Sequence, residues 1–283
     1  MAEIRVGTSG WRYPPWRGTF YPKGLVQRRE LEYLSRQVNS AEINGSFYSL
    51  QRPERYRAWV EQTPDDFVFA VKGGRFITHM KRLRDTETPL ANFFASGVLA
   101  LGHKLGPILW QLPANFAFEP DRFDRFFRTL PRDTHAAAVL AGKHDDKLKG
   151  EAHTDTGKNR RLRYALEPRH PSFHSDECRK LLQDNNIALV AADSAGTWPS
   201  FEEVTADFVY VRLHGDEELY ASGYTGKALD EWADKIRRWR RRGKKTSDAY
   251  VYFDNDIKVK APGDAISLAT RLGVEGRPID LPS

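Results

Sequence analysis

Residues 164–173 read YALEPRHPSF, an apolar run that gives way to Glu167, Pro168, Arg169, His170 and Pro171. The same transition recurs along the chain. SAEIN carries Glu42 and Asn44, FAVKGGR carries Lys72, ILWQL ends near Gln111, LVAAD ends in Asp193, VYVRLHG carries Arg212 and His214, and YVYFDN ends in Asn255. Carboxylates, a histidine and guanidinium groups are the side chains of acid–base chemistry on an anion. Close carboxylates push their pKa values apart, so Glu167 and Asp193 are the expected acid–base pair, with His214 able to exchange protons with either. Lys72, Arg169 and Arg212 form an expected anion clamp, in which an arginine fork gives the bidentate contacts that lysine cannot. Glu42, Asn44, Gln111, His170, Asn255 and Trp11 complete the expected binding set. Trp11 belongs to GTSGWRYPPWRGTFYP, where it and Tyr13, Trp16 and Phe20 offer stacking faces or a plug for the site's mouth.

Such residues act together only if the fold gathers them. Eight short β-rich runs begin at Ile4, Ser40, Phe67, Ile108, Leu162, Ile187, Phe208 and Tyr250. Between most of them, segments such as ELEYLSRQV, PDRFDRFFRTL and LDEWADKIRRWRRR repeat apolar residues every three or four positions. This alternation predicts an α/β chain forming one (β/α)8 TIM-type barrel of parallel strands over residues 1–283. The regularity breaks between strands four and five, where residues 134–161 read as an insertion: an Ala-rich helix, THAAAVLAGKHD, followed by a polar stretch. Strand side chains alternate faces. Val209, Val211 and Leu213 therefore face helices and leave Tyr210, Arg212 and His214 in the lumen, while Tyr164 and Leu166 leave Ala165 and Glu167 inside. Glu42, Asn44, Lys72 and Gln111 are expected inside as well, with Asp193 and Asn255 ending strands six and eight. All fall at C-terminal strand ends, the rim where barrel enzymes place their chemistry. Unpaired charge is costly to bury, so the set is a ligand site, an internally paired network, or both.

Composition limits the function classes. Forty per cent apolar and 12 per cent aromatic residues supply a core, and no run approaches the ~18 apolar residues of a membrane span. With no basic-then-apolar leader and one cysteine, Cys178 in the helical SDECRKLLQ, a reducing cytoplasmic setting is expected and a disulfide framework is excluded. The net charge of +6 favours a small anionic partner and admits nucleic acid as an alternative. The densest basic run, RRWRRRGKK at Arg237–Lys245, ends a helix, which places it at the bottom of a barrel, away from the rim. A divalent metal on Glu42, Glu167, Asp193 and His214 is not favoured, because Lys72 and Arg212 share the lumen and no HxH or HExxH pairing occurs. No other cofactor is indicated. A metal-dependent hydrolase or isomerase, a nucleic-acid phosphodiesterase and a non-catalytic ligand-binding barrel remain the alternatives.

GTSGW, AEINGSFY, FAVKGGRFITH, LGPILWQLP, EPRHPSF, ADS, DFVYVRLHG and YVYFDND, in that order, resemble the signature segments of the YecE-like proteins, the family catalogued as domain of unknown function 72. The resemblance spans about residues 4–273 and implies a (β/α)8 barrel without implying a reaction. Two residues depart from the family pattern. Phe173 stands where Trp is more usual, and Asp254 where a second Asn is more usual, so the end of strand eight gains an acceptor in place of a donor.

Overall fold

The apolar runs become strands because each alternates between two apolar surroundings, helices outside and a narrow lumen inside. In the computed structural model, which describes residues 2–242 and 245–277, the strands are β1 (Ile4–Ser9), β2 (Ser40–Ile43), β3 (Val68–Lys72), β4 (Leu105–Gln111), β5 (Tyr164–Glu167), β6 (Ile187–Leu189), β7 (Ala191–Asp193), β8 (Phe208–Leu213), β9 (Arg241–Arg242), β10 (Lys245–Thr246) and β11 (Asp248–Phe253). The helices are α1 (Glu30–Gln37), α2 (Gly45–Tyr48), α3 (Pro53–Glu61), α4 (Glu87–Ala95), α5 (Pro120–Thr129), α6 (Thr134–Ala141), α7 (Asp176–Asp184), α8 (Gly226–Arg240) and α9 (Ala261–Arg271).

The parallel sheet runs β6-β5-β4-β3-β2-β1-β11-β8-β7. Its two edges, β6 and β7, are halves of the sixth run, so the sheet closes on itself as an α/β barrel of the TIM type. The run divides at Val190 because it changes neighbour there: β6 pairs with β5, and β7 pairs with β8. Beside β6, where β8 has not begun, the Thr205 hydroxyl donates to Ile187 O at 2.6 Å and accepts from Leu189 N at 2.8 Å. The sixth unit also lacks the helix that an ideal barrel would place there, since residues 194–207 form loop only. The antiparallel pair β9 and β10, within the basic run, was not expected from the sequence; Gly243 and Lys244 lie outside the described residues.

Two apolar clusters match the two faces. Outward residues such as Val6, Ile43, Trp110, Leu166, Val211 and Phe253 pack with the helices. Inward residues form a small separate cluster in which Tyr210, Tyr250 and Tyr252 oppose Ala70, Ala165, Ala188 and Ala192, large against small as a narrow barrel requires. Caps hold the helices in phase: Asp133, Ser175 and Thr225 accept from the first turns of α6, α7 and α8, and Pro53 and Pro120 open α3 and α5. The 134–161 insertion is tied at the foot of β5, where Asp133 bridges Arg161 and Thr134 N donates to Arg160 O at 2.9 Å. Its helix α6 packs on α4. The insertion therefore belongs to the end opposite the rim and does not cover it.

Candidate active site

Arg212 is the hub of the lumen. It projects inward from the end of β8 and is fully buried. Its Nη1 donates to Glu167 Oε2 at 2.7 Å, and its Nη2 donates to Glu42 Oε1 at 2.8 Å, Asp254 Oδ2 at 2.9 Å and Ser9 Oγ at 2.8 Å. Three strand ends thus place carboxylates on one guanidinium. Ser9 Oγ also donates to Glu42 Oε1 at 2.5 Å and accepts from Asn44 Nδ2 at 2.8 Å, and the Tyr210 hydroxyl donates to Glu42 Oε2 at 2.6 Å. Burial by itself would raise the Glu167 carboxyl, but Arg212 and Arg169 hold it well below the ordinary glutamate range. The same opposition acts on Asp254, where Arg212 and His214 outweigh burial and lower the carboxyl to about 2.

A second layer lies above this hub. Arg169 donates to Glu167 Oε1 from Nε at 3.1 Å and from Nη2 at 2.9 Å, and its guanidinium stacks 3.6 Å from the Trp198 ring. His214, fully buried beside Trp198 and Tyr220, stands between the two carboxylates, with Nδ1 3.1 Å from Asp254 Oδ2 and Nε2 3.5 Å from Glu167 Oε1 and 3.4 Å from Arg212 Nη1. Lys72 ends β3 with its Nζ 4.4 Å from the Phe47 ring centre, and among the described residues that ammonium has neither a hydrogen bond nor an ion pair. Burial and the Arg212 charge lower its ammonium to about 8. Next to Phe47, His79 is surrounded electrostatically by Lys72, Arg75, Arg169 and Arg82, and burial together with these cations lowers it to about 4. Asp256 behaves oppositely to Asp254. Burial and the Asp254 charge raise its carboxyl well above the ordinary range, so a low and a high carboxyl stand together at the end of β11.

The description "protein of unknown function DUF72" matches residues 5–283, and UPF0759 protein YecE of Escherichia coli K12 is 31% identical over 92% of this chain and 89% of its own. The chain belongs to the DUF72 family. UPF0759 protein YunF of Bacillus subtilis strain 168 is 27% identical over 40% of this chain and 41% of its own. Among solved structures, a DUF72 family protein of Thermotoga maritima aligns with a TM-score of 0.74 at 23% identity, covering 96% of this chain and 99% of that one. One from Enterococcus faecalis aligns with a TM-score of 0.73 at 16% identity, covering 99% and 100%.

On this DUF72 barrel, the sequence-predicted residues Glu42, Asn44, Lys72, Glu167, Arg169, Arg212 and His214 are gathered at one end of the lumen. Five others are not part of the cluster. Asp193 shares the outward face of Ala191, and its carboxylate accepts from Ala195 N at 3.3 Å in a cavity of about 230 Å³ lined by Trp232 and Asp216 of the outer wall. It cannot partner Glu167 across the lumen. Asn255 is one residue past the inward position and donates to Ser222 O at 2.9 Å and Asp264 Oδ2 at 2.8 Å, tying a loop to α9. Trp11 packs edge-on against Trp59 at 5.3 Å and beside Phe69 in the outer cluster, and Trp16 and Tyr21 are buried with it, so this loop is a packed wall and not a set of free stacking faces. His170 accepts from Ser172 N at 3.2 Å and caps the turn Pro171–Phe173. Gln111 stands beside Glu167 in register but donates only to Leu112 O, at 3.2 Å.

Asp254 and Asp256 were missed as site residues. The signal was available in YVYFDND, since alternation carries the lumen face of Tyr250 and Tyr252 on to Asp254. The donor set does not fit a divalent ion: Glu42, Glu167 and Asp254 converge on a guanidinium, and Asp193 faces away. Among the described residues no group of three His, Cys, Asp or Glu side chains is arranged to hold a metal, and no helix is long and apolar enough to cross a membrane.

Proposed function

We propose that the rim is the active site of an enzyme that binds a small anionic molecule, phosphorylated or carboxylated, and moves protons on it. The carrying observation is the uneven pairing of charge. Arg212 is met by three carboxylates, whereas Lys72 Nζ and Arg169 Nη1 have no hydrogen-bond partner among the described residues, with Arg75 and Arg82 nearby. Lys72 is largely buried, and an anion at the mouth would supply the acceptor its ammonium lacks. Asp256, whose carboxyl burial and the Asp254 charge push up, suits a general acid, and His214 stands between Glu167 and Asp254. A cytoplasmic setting belongs to the same reading, supported by the one cysteine, which is free.

Thermal-shift titration tests the binding. Inorganic phosphate and sugar phosphates are expected to raise Tm in the wild type, uncharged sugars are not, and Arg169→Gln and Lys72→Met should each abolish the rise. A wild type indifferent to every anion would overturn the reading.

A second reading, single-stranded nucleic acid, is favoured by one feature. Tyr48, Phe76 and Met80 stand exposed at the rim beside Arg75 and Arg84, an arrangement suited to base stacking and phosphate contact. The basic run does not contribute, because Arg240 is tied at the foot of the barrel to Ala2 O at 3.1 Å and Ser247 O at 2.8 Å. Oligonucleotide affinity that falls steeply with salt would support this second reading.

A further inference from the structure

Among the described residues two lysines are buried, Lys72 and Lys104, and they differ in what surrounds the ammonium. Lys104 Nζ donates to Val60 O at 2.7 Å, Thr63 O at 2.9 Å and Thr63 Oγ1 at 3.1 Å, so all three of its protons have acceptors and it serves to close the α3 turn. Among the described residues Lys72 Nζ has none, and it stands over the face of Phe47. It also stands at the C-terminal end of a barrel strand, on the lumen face, within electrostatic reach of Glu42, Glu167, Asp254 and Arg212. A desolvated lysine with a guanidinium as neighbour gives up its proton more readily than an ordinary lysine, and the neutral amine so formed is a nucleophile.

We infer that Lys72 attacks the carbonyl carbon of a small anionic aldehyde or ketone and forms a Schiff base with it. This rests on the reading of the rim as an anion-binding active site. The Nζ lone pair forms the C–N bond while the carbonyl π pair moves to oxygen, which takes a proton. The nitrogen then releases a proton, the hydroxyl takes one from solvent at the mouth and leaves as water, and the C=N bond is complete, so that amine, carbonyl and one proton give a protonated imine plus water. Glu42, Glu167 and Asp254 provide the negative surroundings that stabilise a protonated imine, and the free edge of Arg169 faces the substrate's phosphate or carboxylate. The substrate class is therefore a carbonyl compound that also carries an anionic group.

Reductive trapping tests this on the full-length protein. Glyoxylate, an anionic aldehyde, and acetaldehyde, a neutral one of similar size, are each added with cyanoborohydride, and modified lysines are mapped by peptide mass spectrometry. Lys72 is expected to be modified ahead of exposed lysines such as Lys227, whose side chain is 89% exposed, with Lys104 left unmodified. The rate should reach half its maximum near pH 8, where Lys72 is half free amine, whereas an ordinary lysine is below ~1 per cent free amine there. Glyoxylate should outpace acetaldehyde at Lys72, and Arg169→Gln should remove that preference. Modification of Lys72 no faster than of Lys227 overturns the nucleophile, even if phosphate still raises Tm. Selective modification by both aldehydes at equal rates upholds the nucleophile and removes the anion site beneath it.

Discussion

Two polar clusters stand back to back at the top of this barrel, separated by the thickness of one strand. Outside, Asn255, Asp264, Tyr224 and Asp193 clamp the loop after β8 to α9. Asn255 donates to Ser222 O and Asp264, Tyr224 N donates to Asp264 Oδ2 at 3.2 Å, and Gly215 N donates to the Tyr224 hydroxyl at 3.1 Å. Inside, three carboxylates crowd one arginine while Lys72 is left without an acceptor. In the outer cluster each of these donors finds an acceptor, although Asn255 Oδ1 has no donor among the described residues. The inner one carries more charge than pairing needs and leaves part of it open. That surplus, and not the presence of buried charge, distinguishes a site from a clamp.

The largest expected effect breaks the inner cluster at its hub. Arg212→Met leaves Glu42, Glu167 and Asp254 buried without a counter-charge, and should lower the unfolding free energy by about 3–5 kcal/mol in urea titrations. A loss under about 1 kcal/mol would show that the carboxylates relax into water, and the contrast between the clusters would fail. Acid titration follows in size. Asp254 is lowered to about 2 in the folded protein, so it stabilises the fold above the ordinary aspartate range near pH 4 and loses that contribution as pH falls through 2. Asp254→Asn should remove about 2 kcal/mol of the wild type's acid-dependent loss between pH 4 and 2, read from stability curves at each pH.

On the outer side, Asn255→Ala should cost about 1–2 kcal/mol, because Ser222 O and Asp264 lose a buried donor. It should leave any phosphate-induced Tm rise unchanged, and a loss of that rise would join the two clusters into one site. Asp193→Asn is the mildest. Burial raises the Asp193 carboxyl, so its ionised form weighs against folding once pH exceeds the ordinary aspartate range. The substitution should therefore raise stability slightly at pH 7 and make no difference at pH 3, checked by paired melting curves.

Much of this was legible in the chain. The barrel follows from the alternation of β runs and helical segments, and inward placement of Glu42, Lys72, Glu167, Arg212 and His214 follows from strand parity once Val211 or Leu166 is taken as outward. The errors came where parity was not carried through. Asp193 and Asn255 were placed by being last in their strands, yet Ala192 and Asp254, one residue earlier, hold the inward positions. Trp11 shows a different limit: an aromatic near glycines reads as a stacking face, and only the neighbouring Trp59 and Phe69 show that its ring is already covered.

The sequence by itself determined the barrel, its parity and the kinds of charge at its rim, because these rest on local periodicity and on which side chains tolerate an apolar surrounding. Only the tertiary structure decided how those charges pair. Arg212 lies 170 residues from Glu42 and 45 from Glu167 along the chain. Whether it neutralises them or is held apart depends on distances set by barrel closure at Val190, and no local pattern encodes these. The unpaired state of Lys72 has the same origin: an amine is left without an acceptor only because every nearby carboxylate has already been taken by a different strand.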